Sequence, residues 1–198
     1  MRSSMPCLVL FFVLVGCGPA LTQTPVGSDA GTPLEVTTID AGCAITVERW
    51  ELQGGQHVDI GTDIRWPSNP PNSGPHFPVW AAYQEFTSPV PRGYYVHDLE
   101  HGAVVLLSNC DKVSGDCTPV LDALRAASAS LPDDPLCSSV RVRTVITPDP
   151  LIAEPLVAVS WGYVYRAACV DQPSLNAFVQ AHYGQGPEAL CANGVTQF

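Results

Sequence analysis

Methionine is almost missing from this chain: the 198 residues hold two, Met1 and Met5. Both fall within the first 16 residues, so a chain cleaved there carries none, and copper(I) sites built from thioethers are excluded. No Cys-x-x-Cys pair occurs, which removes the usual zinc-thiolate knuckle. Neither a glycine-rich phosphate loop nor a Gly-x-Ser-x-Gly elbow is present, so nucleotide binding and serine-hydrolase chemistry lack their machinery. Internal repeats are absent. Positive charge is scarce, with 9 Lys and Arg against 19 Asp and Glu. The apolar run at residues 8–15 is too short to span a bilayer.

That short run, preceded by Arg2, has the form of a signal peptide over residues 1–16. It ends in Leu14-Val15-Gly16-Cys17, which resembles the bacterial lipobox, where the cysteine is lipidated and becomes the new first residue. The expectation is a lipoprotein of the cell envelope, held to the membrane at Cys17 and facing the periplasm or exterior. Residues 17–42 are rich in proline, glycine, threonine and alanine without aromatic residues, and read as a flexible tether. Cleavage removes only Arg2 among charged residues, leaving 8 of the 9 basic side chains against 19 acidic ones, a formal charge of −11. Such a surface repels nucleic acid and anionic headgroups.

Setting aside Cys7 and Cys17 leaves Cys43, Cys110, Cys117, Cys137, Cys169 and Cys191, an even set that suits three disulfides in an exported protein. Only Cys110 with Cys117, flanking a turn-like Asp111 to Asp116, can be paired by reasoning. The other four stay unassigned.

Residues 43–198 suit one globular domain. Residues 44–52 read as a strand, and the segment 66–78, with Pro67, Pro70, Pro71, Pro75 and Pro78, as a stiff extended loop. Residues 103–107 are a continuous apolar run suited to a buried strand. Thr118-Pro119 opens a helix through residue 130, with Val120, Leu121, Leu124, Ala127 and Leu131 at helical spacing. Residues 140–146 alternate as a half-exposed strand, 156–165 form a longer central strand, and 174–183 a second helix. The order implies an α+β fold: a mainly antiparallel sheet with two helices packed on one face.

The chemistry lies in the histidines. His97 and His101 are four apart in His97-Asp98-Leu99-Glu100-His101-Gly102. On a helix that spacing holds the side chains within about 6 Å, close enough to share an ion. A strand would separate them by about 13 Å. Gly102 suits the left-handed residue that ends a helix, so one helical turn over residues 96–101 is expected. Glu100 can ligate, orient a ligand, or act as a base on metal-bound water; capping or solvating the turn is the plainer role for it and Asp98. His76, on the proline-stiffened loop, is the best third ligand. His57 and His182 are weaker candidates, as lone histidines are more often hydrogen-bonded or exposed. Trp66, Trp80, Tyr83 and Tyr94 cluster around these motifs and either line a pocket or fill the core.

Three groups of residues carry a resemblance: Gln56-His57-Val58, the run from Trp66 to His76, and Val96 to Val105. Together with Ile146 to Pro150, Ser160-Trp161-Gly162, Ala181-His182-Tyr183-Gly184 and Pro187-Glu188, they resemble the bacterial envelope family catalogued as domain of unknown function 3105, from about Trp50 to Gly194. Asn72 stands where that family usually has threonine, and Asp98 where asparagine or alanine is common. The resemblance implies an envelope location and a shared histidine-rich site, with no reaction attached. It makes His57 and His182 plausible outer members of the site.

Imidazole with carboxylate suits a divalent transition metal, zinc or copper(II) above others here. Three readings follow. The first is a metal-binding or metal-sequestering envelope lipoprotein. The second is a metal-dependent hydrolase or lyase with Glu100 as base, which needs an open coordination position. The third is a structural or interaction module without metal.

Overall fold

The structure, a computed structural model, describes residues 31–198. The signal segment, Cys17 and the first part of the expected tether lie outside the described residues. In chain order the elements are β1 (Glu35–Asp40), β2 (Ala44–Arg49), α1 (Arg92–Glu100), β3 (Val104–Ser108), α2 (Thr118–Ala129), β4 (Thr144–Pro148), β5 (Leu156–Ser160), β6 (Tyr163–Ala167) and α3 (Gln172–His182). The strands form one sheet in the order β1-β2-β6-β5-β3-β4. Every neighbouring pair is antiparallel except β3 with β4, which is parallel. A parallel pair needs a crossover, and α2 provides it.

The fold is therefore α+β and mainly antiparallel, but the described helices number three, and they cover both faces of the sheet. Residue alternation along β3 shows why. Val105 and Leu107 point into a core shared with Tyr95, Val96 and Leu99 of α1, while Val104 and Leu106 point into one shared with Leu124 of α2 and Phe178 of α3. A strand buried on both faces must be apolar at every position, and all five residues of β3 are buried.

α1 was expected as a single turn over residues 96–101; it begins at Arg92 and all nine of its residues are buried. Its apolar and polar side chains are interleaved around the whole circumference, so no apolar stripe announces it. The first turn is fixed instead by Arg92, whose guanidinium donates two hydrogen bonds to the buried Asp149 carboxylate, at 3.0 and 3.1 Å.

Three further expectations are corrected. The tether does not reach residue 42, since all six residues of β1 pair with β2; the side chains of this edge strand stay largely exposed, so backbone pairing holds it without a hydrophobic pattern. The strand placed at residues 140–146 begins at Thr144 and is buried, because Arg143 ahead of it is neutralised by Asp134 at 2.9 Å and does not face water. Residues 156–165 are a hairpin, with Gly162 supplying a φ of +82° at the turn between β5 and β6.

Three disulfides staple the domain: Cys43–Cys169, Cys110–Cys117 and Cys137–Cys191. Among the described residues no helix is long and apolar enough to cross a membrane.

Candidate metal centre

Three segments build the site. His97 and Glu100 are three apart on the last turn of α1, so their side chains leave the same face of the helix. The proline-rich loop brings His76. That loop is anchored by Trp66 donating from Nε1 to the Pro75 carbonyl at 3.0 Å, and by Gly162 N donating to the Asn72 carbonyl at 2.9 Å. His57 comes on a third strand of chain that pairs with the loop: His57 and His76 form a parallel bridge, Val58 N donates to His76 O at 2.8 Å, and His76 N donates to Gln56 O at 3.0 Å. Glycine permits this approach. A Cβ on Gly55 would lie 1.8 Å from Glu100 Oε1, and one on Gly93 would lie 2.5 Å from the Phe77 ring that follows His76.

The outcome is a four-residue cluster, His57, His76, His97 and Glu100, each offering a ligand atom within 4.8 Å of all the others. A tetrahedral shell with bonds near 2.1 Å needs ligand atoms about 3.4 Å apart, so the set is within a small side-chain rotation of closing on an ion. The ring centroids of His57, His76 and His97 are 4.6 to 5.0 Å apart. Three members are buried, and His57 is exposed.

The outer hydrogen bonds select the tautomer. His76 Nδ1 lies 2.9 Å from the Gly74 carbonyl and His97 Nδ1 lies 2.7 Å from the Phe77 carbonyl. A carbonyl only accepts, so both Nδ1 atoms carry hydrogen, which leaves each Nε2 as the atom able to bind a metal, the arrangement found on metal-bound histidine. His76 Nε2 then faces Glu100 Oε2 at 3.0 Å, in a His76 side chain that is 0% exposed. A ring nitrogen and a carboxylate oxygen at that distance are held together by a shared cation, a proton on Nε2 or a metal ion.

The remaining candidates are placed elsewhere. His101 terminates α1; its ring sits 4.5 Å from that of His97 but offers no atom to the four-membered set. The fourfold spacing does put both on one side of the helix, yet the last turn aims His101 toward Trp80, at 4.7 Å between centroids. His182 belongs to the opposite face of the sheet, its ring tilted against Tyr163 at 4.1 Å and Phe178 at 4.6 Å, so it packs half-buried at the end of α3 and away from the cluster. Glu100, considered as a base, stands inside the cluster itself. Of the aromatic residues, Trp80, Tyr94 and Trp66 pack in the core under α1, Trp80 with its ring edge-on to His97 and His101. Tyr83 borders two cavities of about 230 Å³ each, and no residue of the cluster lines either.

Burial pushes His97 down to about 4, aided by the charges of His101, His76 and His57 and opposed by the Phe77 carbonyl. His101 is also pushed down to about 4, by burial and then by His76, Arg143 and His57. Because the folded values lie below the ordinary 6.5, the unfolded chain takes up protons first as pH falls. The stability these rings confer is fully present above about 6.5 and is lost on descent toward about 4. Asp98, whose carboxyl burial pushes well up, acts with the opposite sign, so a difference measurement is the sharper one. The melting temperature of metal-free protein should drop less between pH 7 and 4 in His101→Gln than in wild type; parallel profiles would rule this account out.

A histidine-carboxylate cluster beneath one face of a disulfide-bonded α+β sheet defines a protein with a site that can hold a metal ion. The chain belongs to the family described as Protein of unknown function (DUF3105), whose model matches residues 57–193. That span opens on His57 and contains every member of the cluster. No curated protein and no solved structure matches the chain.

Proposed function

We propose that the protein binds a divalent transition metal in the bacterial cell envelope, tethered by lipid at Cys17, and that it holds the ion with His57, His76, His97 and Glu100. The observation that carries this reading is the convergence of four ligand atoms within 4.8 Å of one another, with His76 and His97 each held at Nδ1 by a backbone carbonyl. Four protein ligands close a tetrahedral shell, which favours holding or carrying an ion over hydrolysis at it. Ligation through one oxygen also draws electron density from the Glu100 carboxylate and lowers its basicity, so the hydrolase or lyase reading is the weaker one. His57 is the exchange point, since its side chain is 53% exposed while that of His76 is 0% exposed. Zinc and copper(II) both suit three imidazoles and a carboxylate. The envelope assignment is supported by the signal-like residues 1–16, the Cys17 motif and three disulfides, which persist in oxidising compartments.

Elemental analysis tests the ion directly. Untagged protein with its disulfides intact, exposed to zinc or copper(II) and desalted, should retain an ion that His97→Ala loses. Wild type that emerges empty with both metals defeats the reading.

A further inference from the structure

Gly55 is exposed, and its φ lies outside the left-handed region that favours glycine, so neither the backbone nor the depth of the position forbids a side chain there. One neighbour does. A Cβ on Gly55 would meet Glu100 Oε1 at 1.8 Å and Glu100 Cδ at 2.9 Å, while the next atom, His76 Cε1, stands at an ordinary 3.6 Å. The conflict is confined to the end of the Glu100 side chain and involves no backbone. At the adjacent Gly54 a Cβ would meet nothing within 4 Å.

The two carboxylate oxygens are thereby given different tasks. Oε1 fills the space that a side chain at residue 55 would occupy, and Oε2 faces His76 Nε2 at 3.0 Å and His57 Nε2 at 4.0 Å. The slot itself is held in place from both sides, because Gln53 N donates to Ser73 Oγ at 3.1 Å and His76 N donates to Gln56 O at 3.0 Å. The Glu100 side chain, 9% exposed, has little room to settle elsewhere in the cluster.

We propose that Gly55 sets the coordination number of the metal site, as a positioning residue that acts through Glu100. The proposal rests on the four-ligand reading given above. With glycine at residue 55 the shell closes with three imidazoles and a carboxylate; any side chain there pushes the carboxylate out and leaves three imidazoles and an open position, which takes water or a small anion. An absent side chain on the surface thus decides whether the ion is enclosed or reachable by solutes.

Cobalt(II) added to the metal-free, disulfide-intact chain, with azide as the small anion, tests this. Wild type should bind one ion whose visible absorption ignores azide. Gly55→Ala should melt within a few degrees of wild type without metal, bind cobalt at least about tenfold more weakly, and change its spectrum when azide is added. Gly54→Ala should behave as wild type. In a Glu100→Ala background, where the carboxylate is already gone, Gly55→Ala should weaken binding no further. A Gly55→Ala protein that matches wild type in affinity and azide response, one that loses affinity equally with and without Glu100, one that does not fold, or a wild type that itself responds to azide overturns the role of Gly55 while leaving a metal site in place. Wild type that takes up no cobalt removes the site itself.

Discussion

Replacing Glu100 by glutamine should stabilise the metal-free protein and destabilise the metal-loaded one. In metal-free protein at a pH where no proton fills the gap, the Glu100 carboxylate sets its lone pairs against His76 Nε2 at 3.0 Å, between side chains that are 9% and 0% exposed. An isosteric amide can donate into that nitrogen and form a neutral hydrogen bond, a gain of about 1 kcal/mol. For a domain of this size each kcal/mol moves the midpoint by about 2 to 4 °C. With the ion present the sign reverses. Loss of an anionic ligand should weaken affinity by at least about 100-fold, since even residues that only orient ligands are worth 10 to 100-fold. At a free ion concentration about 1,000 times the wild-type Kd, binding contributes about 4 kcal/mol to wild type and about 1.4 kcal/mol to a variant weakened 100-fold. Thermal melts of both proteins, with chelator and with metal, should therefore cross over. A glutamine variant that is less stable in both conditions would make Glu100 a structural residue and remove it from the ligand set.

The largest stability loss should follow removal of Cys43–Cys169. The bridge continues the register of the β2–β6 ladder, in which Ile45 opposes Ala167 and Ala168 N donates to Ala44 O. It closes a loop with a sequence separation of 126 and clips the β1–β2 hairpin onto the rest of the sheet. Chain entropy alone assigns such a loop about 5 kcal/mol, against about 2 kcal/mol for Cys110–Cys117, whose separation is 7. The Cys43→Ser, Cys169→Ser double variant should melt about 10 to 20 °C lower than wild type, and the Cys110→Ser, Cys117→Ser pair by only a few degrees. Equal shifts for the two pairs would show that loop length does not govern the effect here.

How much of this was legible in the sequence depends on where the information resides. β3, α2 and α3 announce themselves because each has a local signal: an unbroken apolar run, a helical repeat behind Thr118-Pro119, a repeat of Leu175, Phe178 and Val179. β1 and the first half of α1 do not, as one is held by pairing and the other by a buried ion pair with Asp149, far along the chain. The same split divides the site. His97 and Glu100 share a helical turn and His76 a rigid loop, which spacing reveals. His57 joins only through a bridge to His76, and His182 stays away only because α3 covers the other face of the sheet. Gly55 carried no signal of chemistry. Close approach of Gly55 to Glu100, and of the Glu188 backbone to α1, is visible only in three dimensions.

The segment that follows α3 also reaches Trp80: Val195 N donates to Trp80 O, Trp80 Nε1 donates to Ala192 O, and Cys191 is tied to Cys137. The roof over the imidazoles is thus supplied from far downstream of the imidazoles themselves. A growing polypeptide that has exposed His57 through His101 still lacks this cover, so the surroundings of Trp80 reach their final form only after the segment behind α3 has arrived and Cys191 has met Cys137.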